Sequence, residues 1–200
     1  MSNILAIDCC LKFTGVALMI DDNVVDSDSQ DLGRLQSREL PLMTERIMRR
    51  NNLDFHDIDY IALTNGPGYF TGIRVGAAYA SGLAYACGVK IIPVSSLEML
   101  AYGLNHKKVL VLVYAGHGFV YASCKNFLDE GEYSHGQILS WLNENHDAEV
   151  ISDDPDKINL GAKMLKVKPD IKALCKIAGE RVNVAVSPLE IKISYYRAVI

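Results

Sequence analysis

The sequence lacks the features that define several common classes of protein. Its 200 residues include 20 basic and 24 acidic side chains, so there is no basic excess with which to hold tRNA or DNA unaided. The five cysteines are odd in number and form no C-x-x-C motif, which favours free thiols in a reducing compartment over a disulfide framework. No uncharged apolar run reaches the length of a membrane span and the N-terminus has no basic leader, so we expect no membrane partner and a cytoplasmic location.

Motifs for catalytic metals and nucleophiles are also missing. The five histidines never lie four residues apart, so no helical histidine pair is available for zinc. No G-x-S-x-G nucleophile elbow occurs. The acidic segment 153–156 lacks the spacing of a calcium loop and fits a solvated loop better. We therefore expect no metal site and no catalytic residue.

What is present is an alternation of strands and helices that occurs twice. Short apolar runs predict buried strands, and apolar residues at helical spacing predict helices. The elements predicted for the first half are strands at 4–7, 16–20, 24–25, 58–65 and 89–94, and helices at 37–52, 71–88 and 95–105. Those predicted for the second half are strands at 109–113, 119–123, 149–152 and 189–195, and helices at 134–145 and 169–180. This order predicts an α/β fold of two lobes, 1–106 and 107–200.

A glycine-rich turn, 66–72, joins a predicted strand to a predicted helix for which Thr71 is the expected N-cap. Free N–H groups at such a helix start favour anions, so Gly66, Gly68 and Thr71 are candidate phosphate- or nucleotide-facing residues. Asp8, at the end of the first strand, is a fourth candidate, although a polar residue that caps a strand explains it equally well. The turn lacks the lysine of a P-loop, and a tight structural turn fits it better.

The helix after this turn is unusually rich in small residues. Gly72, Gly76, Ala80 and Ala84 recur every four residues, and Gly88 is the expected stop. Each glycine costs about 1 kcal/mol of helix propensity relative to alanine, so a closely packed neighbour must compensate. The other side of the helix is apolar too, which favours one face in the core and one at a protein interface. The alternative is a central helix that is buried wholly within this chain.

Four segments, 4–8, 15–18, 66–76 and 93–98, resemble the bacterial TsaB (YeaZ) family. The third, G-P-G-x-F-T-G-x-R-x-G, is highly specific for this family and the related TsaD proteins. The resemblance extends through residue 105 and fades after it. It implies the actin/Hsp70/sugar-kinase fold of two duplicated lobes, which agrees with the second start of the pattern near residue 106.

The same resemblance implies a function. TsaD transfers a threonylcarbamoyl group to the adenosine beside the anticodon of tRNAs that read ANN codons, and TsaB is a non-catalytic subunit that binds TsaD. The implied partners are TsaD and TsaE, with a homodimer when TsaD is absent and tRNA bound only through the complex. No cofactor is expected to bind tightly, and nucleotide is expected only at the partner interface.

By resemblance, the helices from Ser37 and Thr71 form the partner interface. Its expected residues are Leu40, Met43, Ile47, Gly72, Gly76, Tyr79, Ala80 and Leu83.

Departures from the family pattern weaken any catalytic role. Cys9 replaces the usual hydroxyl residue after Asp8, and Tyr69 replaces the usual serine of the glycine turn. The second-lobe segment 114–121 has lost three charged residues, whereas the final Tyr-x-Arg motif remains at 195–197. One alternative is a small phosphotransferase or ATPase of the same superfamily, but the second lobe supplies no second phosphate loop. The other is a metallopeptidase, against which the missing histidine pair argues.

Overall fold

The structure, a computed structural model, describes residues 2–104 and 108–196. The strands of the first sheet are β1 (Asn3–Asp8), β2 (Thr14–Ile20), β3 (Asn23–Gln30), β4 (Tyr60–Thr64) and β5 (Lys90–Val94). They lie in the order β3-β2-β1-β4-β5, with antiparallel pairs on one side of β1 and parallel pairs on the other.

The second sheet repeats this arrangement. Its strands are β6 (Val109–Gly116), β7 (Phe119–Cys124), β8 (Leu128–Ser134), β9 (Glu149–Ser152) and β10 (Leu165–Lys166). Their order is β10-β9-β6-β7-β8, again antiparallel on one side of the central strand and parallel on the other. The prediction of an α/β fold with two duplicated lobes is confirmed. The predicted boundary at residue 106 falls on a residue outside the described ranges and stays a prediction.

Helices cover both faces of the first sheet. The α-helices are α1 (Gln36–Arg50), α2 (Phe70–Cys87), α3 (Ser96–Ala101), α4 (His135–Glu144) and α5 (Ile171–Gly179). Side chains of β1 alternate between the faces: Leu5 and Ile7 join the core under α1 and α2, whereas Ile4 and Ala6 join the core under α5. Helix α5, which follows the second sheet along the chain, therefore completes the first lobe.

The helix ends follow the sequence in two of three cases. Gly88, with φ of 72°, ends α2 as predicted. Ser95 caps α3 by accepting hydrogen bonds from the N–H groups of Leu97 and Glu98. Thr71 as the N-cap of α2 is wrong, because the helix begins one residue earlier, at Phe70, without a side-chain cap. The predicted continuation of α3 towards residue 105 is wrong, because the helix ends at Ala101 and residues 102–104 are not helical. Residue 105 itself lies outside the described residues.

The second half contains the larger differences. Strands β8 and β10 were not predicted, and the predicted strand at 189–195 is wrong. That segment runs instead as an extended strap, residues 185–196, across the first lobe. Val186 pairs with Ile91 of β5, and Ile191 and Ile193 pack on the core under α2. The alternation of apolar and polar residues that predicted a strand is explained by this packing and not by pairing within a sheet.

Candidate functional site

Asp8 is the last residue of β1 and is buried at the carboxyl end of the strand. Its Oδ1 accepts hydrogen bonds from the Cys10 N–H at 2.9 Å and the Thr64 hydroxyl at 2.5 Å. Burial raises the pKa of Asp8 to about 6, with a further rise from the charge of Asp153, although these two hydrogen bonds lower it. Asp8 therefore stands where the strand-end prediction placed it, but this chain's own donors already occupy one of its oxygens.

Asp153 and Asp154 face this loop from the second sheet, where they follow β9. Both are buried, so the expectation of a solvated acidic loop is wrong for them. Lys12 bridges to both: its N–H donates to Asp153 Oδ2 at 3.0 Å, and its Nζ lies 3.0 Å from Asp154 Oδ1. Asp153 Oδ1 has no hydrogen-bond partner within the described ranges, and burial raises the pKa of this carboxyl. A signal was available, because both aspartates follow a buried strand as Asp8 does.

A second bridge joins the same carboxylate to the glycine turn. Lys157 Nζ lies 3.3 Å from Asp154 Oδ2 and donates to the Tyr69 hydroxyl at 3.0 Å. Although burial alone would raise the pKa of Asp154, hydrogen bonds from Lys12 and Lys157 lower it, so this carboxylate stays ionised. The two lobes are thus tied together by charge-assisted hydrogen bonds across their cleft.

An open groove of about 930 Å³ lies beside these bridges. The first lobe lines it with the loop after β1 and the starts of α1 and α2, and the second lobe lines it with Asp154 and Lys157. Of the sequence candidates, Thr71 lines this groove, whereas Asp8, Gly66 and Gly68 do not. The geometry brings cations, a phenol and a helix start to one cleft, but the bridges join its two walls directly. A phosphate-facing role for these residues stays a prediction.

The glycines of the turn have a structural explanation. The Tyr69 N–H donates to the Cys10 carbonyl at 2.8 Å, which holds the turn against the loop after β1. A Cβ added at Gly68 would collide with the carbonyl oxygen of Cys10, and one added at Gly72 would collide with that of Cys9. Only glycine permits this approach between backbones. The preference for a structural turn agrees with this packing.

The residues expected at a partner interface are mostly core residues. The side chains of Leu40, Met43 and Ile47 are completely buried inside the first lobe, as is that of Ala80. In this conformation they offer a partner no surface, and their assignment to an interface is corrected. Helix periodicity identified the apolar side of α1, but that side faces the chain's own sheet.

The small residues of α2 divide into two lines. The buried stripe, which we define as Gly72, Gly76, Ala80 and Ala84, faces the core, where a Cβ added at Gly76 would lie 3.2 Å from Cys9 Cβ. Its close neighbour is thus this chain, as in the intramolecular alternative, and not a partner.

The exposed stripe, which we define as Ala78, Gly82 and Ala86, lies on the other side of α2. A Cβ added at Gly82 would meet nothing within 4 Å. Tyr79 and Leu83 are half-buried beside this line, so an interface role for them stays a prediction. The exposed stripe was not predicted, although its four-residue spacing is visible in the sequence.

Two large apolar side chains are exposed on α2 and on the helix beside it. Tyr85 of α2 is 70% exposed, and Leu42 of the neighbouring α1 is 44% exposed. Both helices lie on the same face of the first sheet, so their outer sides form one surface. Small residues with large apolar neighbours are suited to the close approach of another helix.

Two further findings concern what the described residues do not contain. Within residues 2–104 and 108–196, no group of three or more histidine, cysteine, aspartate or glutamate side chains is arranged to hold a metal ion. No helix in these ranges is both long and apolar enough to cross a membrane.

The fold is shared with a solved structure from Pseudomonas aeruginosa, described as an uncharacterized protein with similarity to peptidase YEAZ. The match has a TM-score of 0.82 at 22% identity and covers 98% of this chain and 100% of that one. Together with the duplicated sheets, it shows a two-lobed α/β fold of the YeaZ type, which is consistent with the actin/Hsp70/sugar-kinase fold that the resemblance implies.

Sequence comparison gives the particular family. A family model described as "TsaD: tRNA N6-adenosine threonylcarbamoyltransferase" matches residues 30–143, more than half of the chain. Two curated relatives are named tRNA threonylcarbamoyladenosine biosynthesis protein TsaB. The Buchnera aphidicola (Schizaphis graminum) protein is 29% identical over 82% of this chain and 74% of its own length. The Escherichia coli protein is 33% identical over 67% of this chain and 59% of its own length. The chain belongs to the family of this model, as a TsaB (YeaZ) member.

Proposed function

We propose that this chain is a subunit for threonylcarbamoyladenosine formation in tRNA, and that it binds TsaD without carrying out the transfer. The exposed stripe of α2 is the observation that carries this proposal. A helix packed against Ala78, Gly82 and Ala86 could approach the α2 backbone closely, which large side chains would prevent. Leu42 and Tyr85 would add apolar area at the edges of this contact.

The cleft supports a non-catalytic role. Lys12 and Lys157 neutralise Asp154 and join the cleft walls, so these charges are already paired within the chain. A phosphotransferase of this fold would need such groups for its substrate. The names of the relatives support the pathway, since they are called threonylcarbamoyladenosine biosynthesis proteins.

We extend the proposal to the remaining partners. We propose that TsaE joins the complex, that a second copy of the chain covers the exposed stripe when TsaD is absent, and that tRNA is held only by the complex. Any nucleotide would bind where the groove of about 930 Å³ meets the partner, because the groove is open beside the start of α2. The complex would work in the cytoplasm, where tRNA is modified.

The proposal is tested by a bulky substitution on the exposed stripe. Gly82→Leu should leave the fold intact, because an added Cβ meets no neighbour, and should abolish co-elution with the organism's own TsaD in size-exclusion chromatography. The matched control is Gly136→Leu on α4, where an exposed glycine is also open to a side chain. If both variants melt cooperatively and both bind TsaD as the wild type does, the interface lies elsewhere. If the wild type does not bind TsaD, the proposed function fails.

A further inference from the structure

Arg74 is the one charged side chain of α2, and it is held in place although it is exposed. Its guanidinium carbon lies 3.8 Å from the centre of the Phe70 ring, and its Nε donates to the Tyr195 hydroxyl at 3.3 Å. The two rings are themselves in contact, with centres 5.6 Å apart. Because Phe70 and Tyr195 both contact Arg74, its side chain is already restricted before a partner binds. Binding would therefore cost less side-chain entropy.

The strap fixes Tyr195 in turn. The Ser194 N–H donates to the Asn65 carbonyl at 2.9 Å, and the Asn65 side-chain amide donates to the Lys192 carbonyl at 2.9 Å. The contact is close, since a Cβ added at Gly66 would lie 3.0 Å from the Ser194 carbonyl oxygen. Tyr195 is therefore anchored through the backbone of the residues before it, while the residue itself stays 41% exposed.

Arg74 differs from its neighbours in charge balance. The arginines of α1 each pair with a carboxylate of this chain: Arg38, Arg46, Arg49 and Arg50. Within the described ranges, by contrast, no carboxylate forms an ion pair with Arg74. Its two terminal nitrogens carry N–H donors in a fork that suits a carboxylate.

The position of Arg74 on α2 indicates which part of a bound partner would meet its guanidinium. Arg74, Ala78, Gly82 and Ala86 lie four residues apart, so the arginine stands at one end of the exposed stripe. At 1.5 Å per residue this line is about 18 Å long, the length of three turns of a partner helix. A helix along the small residues would end beside the guanidinium.

We propose that Arg74, positioned by Phe70 and Tyr195, docks a carboxylate of the partner helix that packs on the exposed stripe. This inference rests on the proposed function and adds to it the charge and the register of the contact. The strap is then a positioning element, since Tyr195 acts on the partner through Arg74. The partner class is a protein helix, because small residues continue the line from Arg74.

The test measures the affinity of the full-length chain for TsaD by isothermal titration calorimetry at low and high salt. Arg74→Gln should weaken binding by about 10- to 100-fold at low salt, the range for a lost hydrogen-bonded charge. It should also flatten the salt dependence, because a screened ion pair has been removed. The matched control, Lys172→Gln, lies on the exposed side of α5, on the opposite face of the first sheet, and should bind like the wild type.

The positioning role has its own variants. Tyr195→Phe keeps the ring contact with Phe70 and removes only the hydroxyl acceptor, so it should weaken binding less than Arg74→Gln does. Combined with Arg74→Gln, it should cause no further loss, because it acts through the arginine. Arg74→Lys retains the charge without the fork, and should fall between the wild type and Arg74→Gln.

Several results would overturn the inference. Wild-type affinity of a folded Arg74→Gln variant for TsaD would do so while leaving the proposed function intact. Unchanged affinity for TsaD together with weaker tRNA binding by the complex would assign Arg74 to a phosphate instead. Should Arg74→Gln fail to melt cooperatively, the Arg74→Lys and Tyr195→Phe variants decide, and wild-type affinity of both refutes the role. A wild-type chain that does not bind TsaD refutes the proposed function itself.

Discussion

The two sides of α2 have nearly the same composition and opposite surroundings. On one side, Gly72 and Gly76 are small because Cys9, in the loop after β1, packs against them. On the other side, Gly82 faces open space. The same four-residue spacing of small residues therefore has two structural explanations in one helix. On one side the small residues allow a contact within the chain, and on the other they form an open surface.

The two sides of α2 differ in what compensates for the low helix propensity of their glycines. Each glycine destabilises a helix by about 1 kcal/mol relative to alanine. On the buried side of α2, packing within the chain offsets this loss. On the exposed side nothing in the described structure offsets it. Because of that asymmetry, we propose that the partner covers Gly82 and not Gly72.

The largest expected effect comes from placing a charge on each side. Ala80→Glu would bury an unpaired carboxylate in the core and should destabilise the protein by roughly 3–5 kcal/mol. Ala86→Glu, on the exposed side of the same helix, should change stability by about 0.5 kcal/mol or less. Urea unfolding of both variants measures the difference. Equal stability of the two variants would contradict the assignment of one side of α2 to the core and the other to the surface.

A second test concerns Asp8, the last residue of β1. The loop that follows it packs against the buried stripe. The pKa of Asp8 is about 6 in the folded chain against an ordinary value of 3.8, so the folded state holds more protons between these values. Stability should therefore fall as pH rises from about 4 to 6, by roughly 2–3 kcal/mol from this group. Asp8→Asn should remove most of that slope and leave the part that comes from Asp153, whose pKa is also raised by burial. Chemical unfolding at several pH values measures it, and an unaltered slope would contradict the assignment.

The third test applies one substitution to both sides. Gly72→Ala should cost about 1–3 kcal/mol, because the new Cβ would collide with the Cys9 carbonyl oxygen. Gly82→Ala should stabilise the chain by about 0.5–1 kcal/mol, since alanine favours the helix and the site is open. Thermal melts of the two variants should move in opposite directions. A shift of the same sign in both would remove the distinction between the stripes.

Sequence patterns predicted most of the first lobe because its elements are encoded locally. The apolar runs of β1 and β2 and the stop at Gly88 depend on neighbouring residues alone, and the structure confirms them. The strap was mistaken for a strand because Ile191 and Ile193 alternate, and alternation does not reveal whether a sheet edge is available.

The candidate site depended on contacts that periodicity does not encode. Which side of α2 meets the chain itself is decided by the loop at Cys9, some 60 residues earlier in the sequence. The role of Asp154 likewise depends on Lys12, which joins it across the cleft. Asp8 was identified because the end of a strand is a local feature. Residues that meet across the two lobes are beyond such patterns.

The central claim, that the exposed side of α2 binds TsaD, is tested most directly by hydroxyl-radical footprinting of the chain with and without TsaD. With the chain dilute enough to be monomeric in the absence of TsaD, Tyr85 and Leu42, at 70% and 44% exposure, should lose most of their oxidation when TsaD is added. Phe127 on the second lobe, at 56% exposure, should be oxidised equally in both samples. Protection of Phe127 with unchanged oxidation of Tyr85 and Leu42 would contradict the account.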